Sequence, residues 1–211
     1  GKNEKRMRYN KKIIIAARVM SLLFTPFFLP TLGLLALFSL SYLSLLPFMY
    51  KTVVIAIVYF FTILLPTMLI HIYRRHQRWT PKELGQRERR MVPYVLSILS
   101  YFTCVYIMKT IHIPHFMSSI VIAALGIQIV CAIVNAWWKI STHTAAIGGV
   151  VGALFAFAAI FGFNPIPWLC ATIILAGIVG TSRMILRQHS LGEVVAGFVV
   201  GVAVGLTILI I

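Results

Sequence analysis

The sequence predicts an all-α membrane protein, a polytopic transmembrane bundle of about six to seven helices. Two observations give this fold class. First, 60% of the residues are hydrophobic and only 11% are charged, whereas a soluble domain carries about 25% charged residues. Second, the apolar residues fall into several runs, each near the length of about 20 residues that a helix needs to cross a bilayer.

The first apolar run, residues 13–46, contains Pro26 and Pro30. Because proline interrupts helical hydrogen bonding, this run is compatible with one kinked helix or with a short helix followed by a span. The later spans are expected at residues 52–73, 91–111, 116–138, 143–163, 167–181 and from 189 to the C-terminus. In the last of them, glycines recur every fourth residue, a spacing that favours close helix packing within the monomer.

The charge is strongly positive, with 19 Lys and Arg against four acids. The bases concentrate in residues 2–12 and 74–90, beside apolar runs, so the expected partners are anionic membrane lipids and not nucleic acid. The second cluster can also bind an anionic substrate. Residues 1–211 are interpreted as one membrane-embedded domain, with a basic N-terminal segment at 1–12 and a basic active-site loop at 74–91.

All four acids are Glu, and the chain contains no Asp. Enzymes that use metal ions for phosphoryl transfer hold their cations with several carboxylates. The composition therefore excludes such sites and any aspartyl-phosphate chemistry, and no cofactor or metal is expected.

Three polar patches lie far apart in the chain, at residues 74–90, 139–143 and 182–189. Two predicted spans separate the first patch from the second, and two more separate the second from the third. Since an even number of crossings returns the chain to the same membrane face, we expect the three patches to meet there.

The third patch contains a histidine and a carboxylate that can work together. His189 and Glu193 are four residues apart, so on a helix that begins at His189 they share one face. The carboxylate can accept a hydrogen bond from one ring nitrogen and leave the other free as a nucleophile. Glu193 is the only acid inside an apolar run, which favours this role over that of a stray acid satisfied by a neighbour.

The second patch places His143 beside hydroxyl residues at the predicted start of a helix. Free backbone N–H groups at such a position favour an anion, and the imidazole can protonate a leaving oxygen. Considered alone, a histidine here is more often an interfacial residue.

Taken together, the patches resemble the motifs of the type 2 phosphatidic acid phosphatase (PAP2) superfamily. That superfamily carries Lys, six residues, then Arg-Pro; later Pro-Ser-Gly-His; and later Ser-Arg, five residues, His, three residues, Asp. The corresponding residues in this sequence are Lys82, Arg89, Ser141, His143, Ser182, Arg183, His189 and Glu193. Four positions depart from the pattern: Arg90 replaces the first Pro, Ile140 the second Pro, Thr142 the Gly, and Glu193 the Asp.

The resemblance implies a metal-independent lipid phosphatase that forms a phosphohistidine. His189 would be the nucleophile oriented by Glu193, and His143 would protonate the leaving group. The implied phosphate-binding residues are Arg183, Lys82, Arg89 and Ser141. Since the Pro after Arg89 is missing, Arg87 or Arg90 remains an alternative ligand from the first patch.

Substrate, activity and sidedness remain open. The candidate substrates are phosphatidate, phosphatidylglycerol phosphate, a polyprenyl diphosphate and a phosphorylated glycolipid. The alternatives to a phosphatase are a lipid phosphotransferase of the same superfamily and a non-catalytic transporter or lipid-binding protein. The basic residues favour a cytoplasmic site by the positive-inside rule, whereas the resemblance implies an extracytoplasmic site in a bacterial inner membrane.

Overall fold

The computed structural model describes residues 2–77 and 87–211, without the side chains of residues 2–9, 40, 42, 77 and 87–89. The described residues form an all-helical fold, which confirms the predicted fold class. The α-helices are α1 (Lys2–Leu23), α2 (Leu29–Leu40), α3 (Phe48–Tyr59), α4 (Leu65–Gln77), α5 (Arg87–Thr110), α6 (His115–Asn135), α7 (Thr142–Phe161), α8 (Ile166–Ile185) and α9 (Leu191–Ile210).

Seven segments within the described residues are long and apolar enough to cross a membrane. The first of them, Asn10–Ser39, includes α1 and α2 and is interrupted by a 3-10 turn at Pro26–Phe28. Pro26 supplies no N–H, and Thr25 before it adopts an extended ψ of 138°, so the α-helix cannot continue through this point. Of the two alternatives for residues 13–46, the structure thus shows two helices.

Helices α3 and α4 are continuous through a single π-helical turn at Phe60–Leu64. There the N–H of Leu65 bonds to the carbonyl of Phe60, five residues back. Pro66 follows directly, and its ring would clash with the carbonyl of Thr62 in a regular α-helix. The wider turn accommodates this proline, so that Phe48–His76 forms one span.

Helices α7 and α9 form the tightest packing in the fold, because glycines let their backbones touch. A side chain at Gly201 would collide with the carbonyl oxygen of Ala145, and one at Gly152 would lie 2.7 Å from the backbone of Val202. The glycine spacing in the last helix therefore serves packing within the monomer, as the sequence predicts.

The polar ends of α5, α6, α7 and α9 meet at one face of the bundle. Asn135 at the end of α6 donates from Nδ2 to the sulfur of Met91 in α5, over 3.4 Å. The backbone N–H of Ser141, before α7, donates to the carbonyl of Glu193 in α9 over 3.3 Å. These contacts confirm that the second and third patches and the start of α5 come together.

Two boundaries differ from the expected ones. The basic loop is shorter than residues 74–91, because α4 extends through Arg75 to Gln77 and α5 begins at Arg87. Helix α8 extends to Ile185, beyond the predicted end at 181, so Ser182 and Arg183 lie in its last turn.

Candidate active site

The end of α8 fixes the spacing between Arg183 and His189. The N–H of Gln188 bonds to the carbonyl of Arg183, and the N–H of Arg187 to that of Met184, both over 3.0 Å. Arg187 has a φ of 54°, in the left-handed region. This hydrogen-bond pattern is the Schellman motif. It turns the chain sharply and returns His189 to the neighbourhood of the Arg183 side chain.

His189 lies two residues before α9, not at its first position as expected from the sequence. The reason is a capping box, in which Ser190 is the N-cap. The hydroxyl of Ser190 accepts from the N–H of Glu193 over 3.4 Å, and Glu193 Oε2 accepts from the N–H of Ser190 over 3.2 Å. This reciprocal pair satisfies two backbone donors at the helix start.

The same carboxylate oxygen also contacts the imidazole. Glu193 Oε2 lies 3.0 Å from Nδ1 of His189, the hydrogen bond that the sequence predicts. The side chains of His189 and Glu193 are 7% and 16% exposed, so the pair is largely shielded from solvent. When Nδ1 donates to the carboxylate, the lone pair of the neutral ring lies on Nε2.

The surroundings of His189 favour its neutral form. Burial lowers its pKa to about 4, and the positive charges of Arg183 and Lys139 act in the same direction, while the hydrogen bond to Glu193 opposes them. A neutral imidazole has the free electron pair that a nucleophile requires.

Hydrogen bonds also join the first turns of α7 and α9, close to His189 and Glu193. The hydroxyl of Ser141 caps α7 by accepting from the N–H of Thr144 over 3.4 Å. The hydroxyl of Thr144 in turn donates to the carbonyl of Val194 over 2.9 Å. Ser141 is fully buried. These bonds fix the first turn of α7 directly against the first turn of α9.

His143 lies in that first turn of α7, as expected from the sequence. Its Nδ1 is buried and has no hydrogen-bond partner within the described residues. Arg183 and His189 both interact with its ring electrostatically. The two histidines and Arg183 thus form one cluster, although helices α7 and α8 separate His143 from the other two residues in the sequence.

The first patch is only partly described. Lys82 lies outside the described residues, and Arg89 lies in the first turn of α5 without a described side chain. Arg90 is described, and its Nε is buried without a hydrogen-bond partner in the part of the chain that the structure covers. Its positive charge repels that of Lys139 and helps to lower the pKa of the Lys139 ammonium group, so the two cations lie near each other. Arg90 is therefore the described residue of the first patch that reaches the site.

Lys139 belongs to the second patch, but the sequence analysis assigns it no role. It lies in the loop between α6 and α7, where its ammonium group interacts with Arg90, Glu193 and Arg183. Burial lowers the pKa of Lys139, and the neighbouring arginines add to this effect. Its position two residues before the N-cap Ser141 is the signal that could have found it, since a helix start is a place for anion-binding side chains.

The N-terminal helix also contributes, which no motif indicated. Helix α1 packs against α8 and brings the backbone of Ser21 next to the His143 ring. Ser21 is buried. Nothing in the residues of α1 marks Ser21 as a neighbour of the site, because the contact depends on how two distant helices pack.

Chemically, the cluster is a site for a small anion with a nucleophile beside it. Lys139 lies within electrostatic range of two further cations, Arg90 and Arg183, and of Glu193. Glu193 is the carboxylate found there among the described side chains, and it is already engaged with His189. The starts of α7 and α9 add the positive ends of two helix dipoles. Such an arrangement is suited to a group with several negatively charged oxygens, such as a phosphate.

Comparison with known proteins gives one match. The family model of the PAP2 superfamily matches residues 135–211, which include the second and third patches. The resemblance predicted from the motifs is thus confirmed over this part of the chain, while the first patch lies outside the matched range. No curated protein and no solved structure matches the chain. This match makes the second half of the bundle similar to enzymes of the phosphatase or phosphotransferase type.

Proposed function

We propose that this integral membrane protein, matched to the PAP2 superfamily at residues 135–211, is a lipid phosphatase that acts through a phosphohistidine at His189. The observation that carries the proposal is the 3.0 Å hydrogen bond between Nδ1 of His189 and Glu193. It presents Nε2 as a nucleophile beside Arg183, in a site with an excess of positive charge.

In the first step, Nε2 of His189 attacks phosphorus, and the bond between phosphorus and the lipid oxygen breaks. His143 gives a proton to the departing oxygen, so that the lipid leaves as an alcohol, or as a monophosphate from a diphosphate. The phosphoryl group remains on His189. Its equatorial oxygens face Arg183, and the charge that develops on them is stabilised by the cations already in place.

In the second step, water attacks the phosphohistidine. His143, now neutral, takes a proton from this water, and the bond between phosphorus and Nε2 breaks. Inorganic phosphate leaves, and the proton on His143 restores the starting state. Throughout both steps Glu193 holds Nδ1 and stabilises the positive charge that appears on the ring of His189 during reaction.

The chemistry of the chain supports a mechanism without a metal. It contains no Asp, and among the described side chains Glu193 is the acid that lies at the site. Arg90, Arg183 and Lys139 supply the positive charge that a metal ion supplies in other phosphotransfer enzymes. Lys82, Arg89 and Ser141 complete the proposed phosphate-binding set, with Arg90 as the ligand that replaces or joins Arg89.

We propose the extracytoplasmic side of a bacterial inner membrane for the site, as the superfamily resemblance implies. A thiol at the exposed position Gln188, in a Cys170→Ser background that retains only the buried Cys104 and Cys131, tests this proposal. In intact cells a membrane-impermeant maleimide should label Gln188→Cys before the cells are opened. Labelling only after the cells are opened would place the site in the cytoplasm.

The function itself is tested by phosphate release. The purified protein in detergent, with EDTA present, is given a panel of lipid mono- and diphosphates without any acceptor alcohol. Release of inorganic phosphate that disappears in His189→Ala supports the phosphatase. Release that requires an added acceptor would identify a phosphotransferase, and activity that survives in His189→Ala would overturn the proposed nucleophile.

A further inference from the structure

The first turn of α5, which carries Arg90 into the site, is only weakly fixed by the helix itself. Helix α5 contains Pro93, and a proline has no N–H to donate to the carbonyl four residues earlier. The carbonyl of Arg89 therefore lacks its helical partner. The Nε of Arg90 is buried and likewise has no hydrogen-bond partner within the described residues. The position of Arg90 thus depends on contacts that other helices make with α5.

Two contacts from neighbouring helices lie close to Arg90. Asn135, the last residue of α6, donates from Nδ2 to the sulfur of Met91 over 3.4 Å. Tyr94 is four residues after Arg90, so the two side chains share one face of α5, and the phenol interacts with the Arg90 charge. The phenol is also in hydrogen-bonding contact with the side chain of Thr142, the first residue of α7. The start of α5 is thereby joined to the end of α6 and to the beginning of α7.

Apolar packing fixes the ring of Tyr94. This residue is half-buried and packs against an apolar cluster to which α6, the loop before α7 and α7 itself all contribute. The buried members of the cluster are Ile127, Cys131, Ile140 and Ala145. Because the ring is held in this way, the phenol oxygen has a defined position beside Thr142. Tyr94 therefore contacts three segments of the chain, and two of them carry the second patch.

Both polar partners of Tyr94 are positions at which the chain departs from the superfamily motifs. Arg90 stands in place of a Pro and Thr142 in place of a Gly. A Pro offers no charge to a phosphate, and a Gly offers no hydroxyl to a phenol. The contact from Tyr94 therefore depends on the hydroxyl of Thr142, and it reaches the additional cation at Arg90. One residue outside the motifs thus links two changes within them.

We propose, on the basis of the function proposed above, that Tyr94 is a positioning residue for the reaction, which together with Thr142 holds Arg90 at the correct distance from His143. Thr142 directly precedes His143 in the first turn of α7. A shift between α5 and α7 at this contact would therefore move the cation relative to the proton donor. A misplacement of about 1 Å is enough to lower the rate of a reaction substantially. Tyr94 acts through Arg90 and does not itself bind the phosphate.

A double-mutant cycle tests the contact between Tyr94 and Thr142. Tyr94→Phe removes one hydroxyl and keeps the ring, and Thr142→Val removes the other hydroxyl with little change of volume. Each variant should raise the dissociation constant of inorganic phosphate, measured by equilibrium dialysis of the purified protein in detergent, by about two- to tenfold. The value of kcat/KM for a lipid monophosphate should fall by a similar factor. The double variant should lose no more than either single variant, because both substitutions remove the same contact.

Two control variants separate positioning from folding. Thr142→Ser keeps the hydroxyl and should bind phosphate as tightly as the wild type. Tyr106→Phe removes a phenol from the same helix, at a side chain that is 65% exposed, and should change neither the dissociation constant nor kcat/KM. Because a dissociation constant describes only the folded protein, a smaller folded fraction cannot imitate the expected loss.

The route through Arg90 is tested in an Arg90→Lys background. Lysine keeps the positive charge, so phosphate binding stays measurable, but it lacks the planar fork whose orientation Tyr94 would fix. Tyr94→Phe should then weaken phosphate binding by less than about twofold. A loss as large as in the wild-type background would overturn the proposed route.

The outcomes distinguish this inference from the proposed function. If the wild type hydrolyses lipid phosphates while Tyr94→Phe or Thr142→Val leaves phosphate binding and kcat/KM unchanged, the positioning role fails and the phosphatase stands. Additive losses in the double variant would overturn the contact in the same way. If the wild type binds phosphate more tightly than Tyr94→Phe does but hydrolyses no lipid phosphate, the proposed function fails and Tyr94 still positions an anion site. A wild type that neither binds phosphate nor hydrolyses a lipid phosphate would overturn both.

Discussion

Glu193 holds His189 and the start of α9 with a single oxygen atom: Oε2 lies 3.0 Å from Nδ1 of His189 and 3.2 Å from the backbone nitrogen of Ser190. The side chain that orients the imidazole thereby also closes the capping box. The superfamily pattern has Asp at this position. The longer Glu reaches back over one helical turn to both groups.

Substitutions at Glu193 and Ser190 should separate these two roles. Glu193→Gln keeps an oxygen for the Ser190 N–H but removes the charge that stabilises the reacting imidazole. We expect kcat to fall by about 10²–10⁴-fold, with thermal stability nearly unchanged. Ser190→Ala should do the reverse, lowering stability by about 1 kcal/mol and leaving most of kcat. Equal effects of both variants on kcat would contradict the division of roles.

The pH dependence of kcat/KM should reflect the lowered pKa of His189. Burial and the nearby Arg183 and Lys139 keep the ring neutral down to about pH 4. Protonation removes the nucleophilic electron pair, so the limb that His189 contributes should appear near that pH, below the usual value of about 6.5. Lys139→Met removes one opposing charge and should shift this limb upward. A limb that stays in place in Lys139→Met would contradict the proposed electrostatic contact.

The pH dependence of folding stability should also reflect the lowered pKa of His189. A histidine whose pKa is lower in the folded state than in the unfolded state binds its proton more weakly when folded. Its contribution to stability is therefore complete above about pH 6.5 and is lost as the pH falls toward 4. Replacing His189 with Asn should flatten the change in melting temperature over this range. An unchanged pH profile in His189→Asn would show that other groups determine acid stability.

Arg90 should be the phosphate ligand at the start of α5. Its buried Nε has no protein partner within the described residues, and its guanidinium interacts with Lys139. Arg90→Ala is expected to lower kcat/KM by about 10²–10³-fold, and Arg75→Ala, at an exposed position in α4, should change it little. If Arg89→Ala is the damaging variant and Arg90→Ala is not, the register implied by the superfamily motif is the correct one.

The contact between α7 and α9 should be sensitive to one methyl group. In Gly201→Ala the new Cβ runs into the backbone of Ala145, so the helices must separate. We expect the stability to fall by about 1–3 kcal/mol. Activity should fall as well, because the backbone N–H of Ser141 donates to the carbonyl of Glu193 across this interface. Gly177→Ala is the matched control, since its Cβ would meet nothing within 4 Å. A stable and active Gly201→Ala would contradict this packing.

Much of the site could be predicted because local rules determine it. The spacing of four residues correctly predicts the contact between His189 and Glu193, although His189 precedes the helix. The even number of spans brings residues 139–143 and 182–189 to one face. The capping box was also present in the sequence as Ser190 followed three residues later by Glu193. Recognising it would have placed the start of α9 correctly.

The remaining features depend on packing between distant segments. Lys139 and Arg90 come within electrostatic range of each other because the loop before α7 lies near the start of α5. The backbone of Ser21 lies next to His143 because α1 packs on α8. The apolar groove along α7 is lined by residues of several helices together. No residue pattern within any one of them indicates its depth, since apolar residues face both the groove and the membrane.

The most direct test of the mechanism is to trap the intermediate. The wild-type protein is mixed rapidly with a radiolabelled lipid phosphate, quenched in alkali, which preserves phosphohistidine, and digested for peptide mapping. The account predicts a label that is lost in acid, maps to His189 and disappears on a chase with unlabelled substrate. A label on another residue, or phosphate release at full rate with no labelled protein at any time, would contradict it.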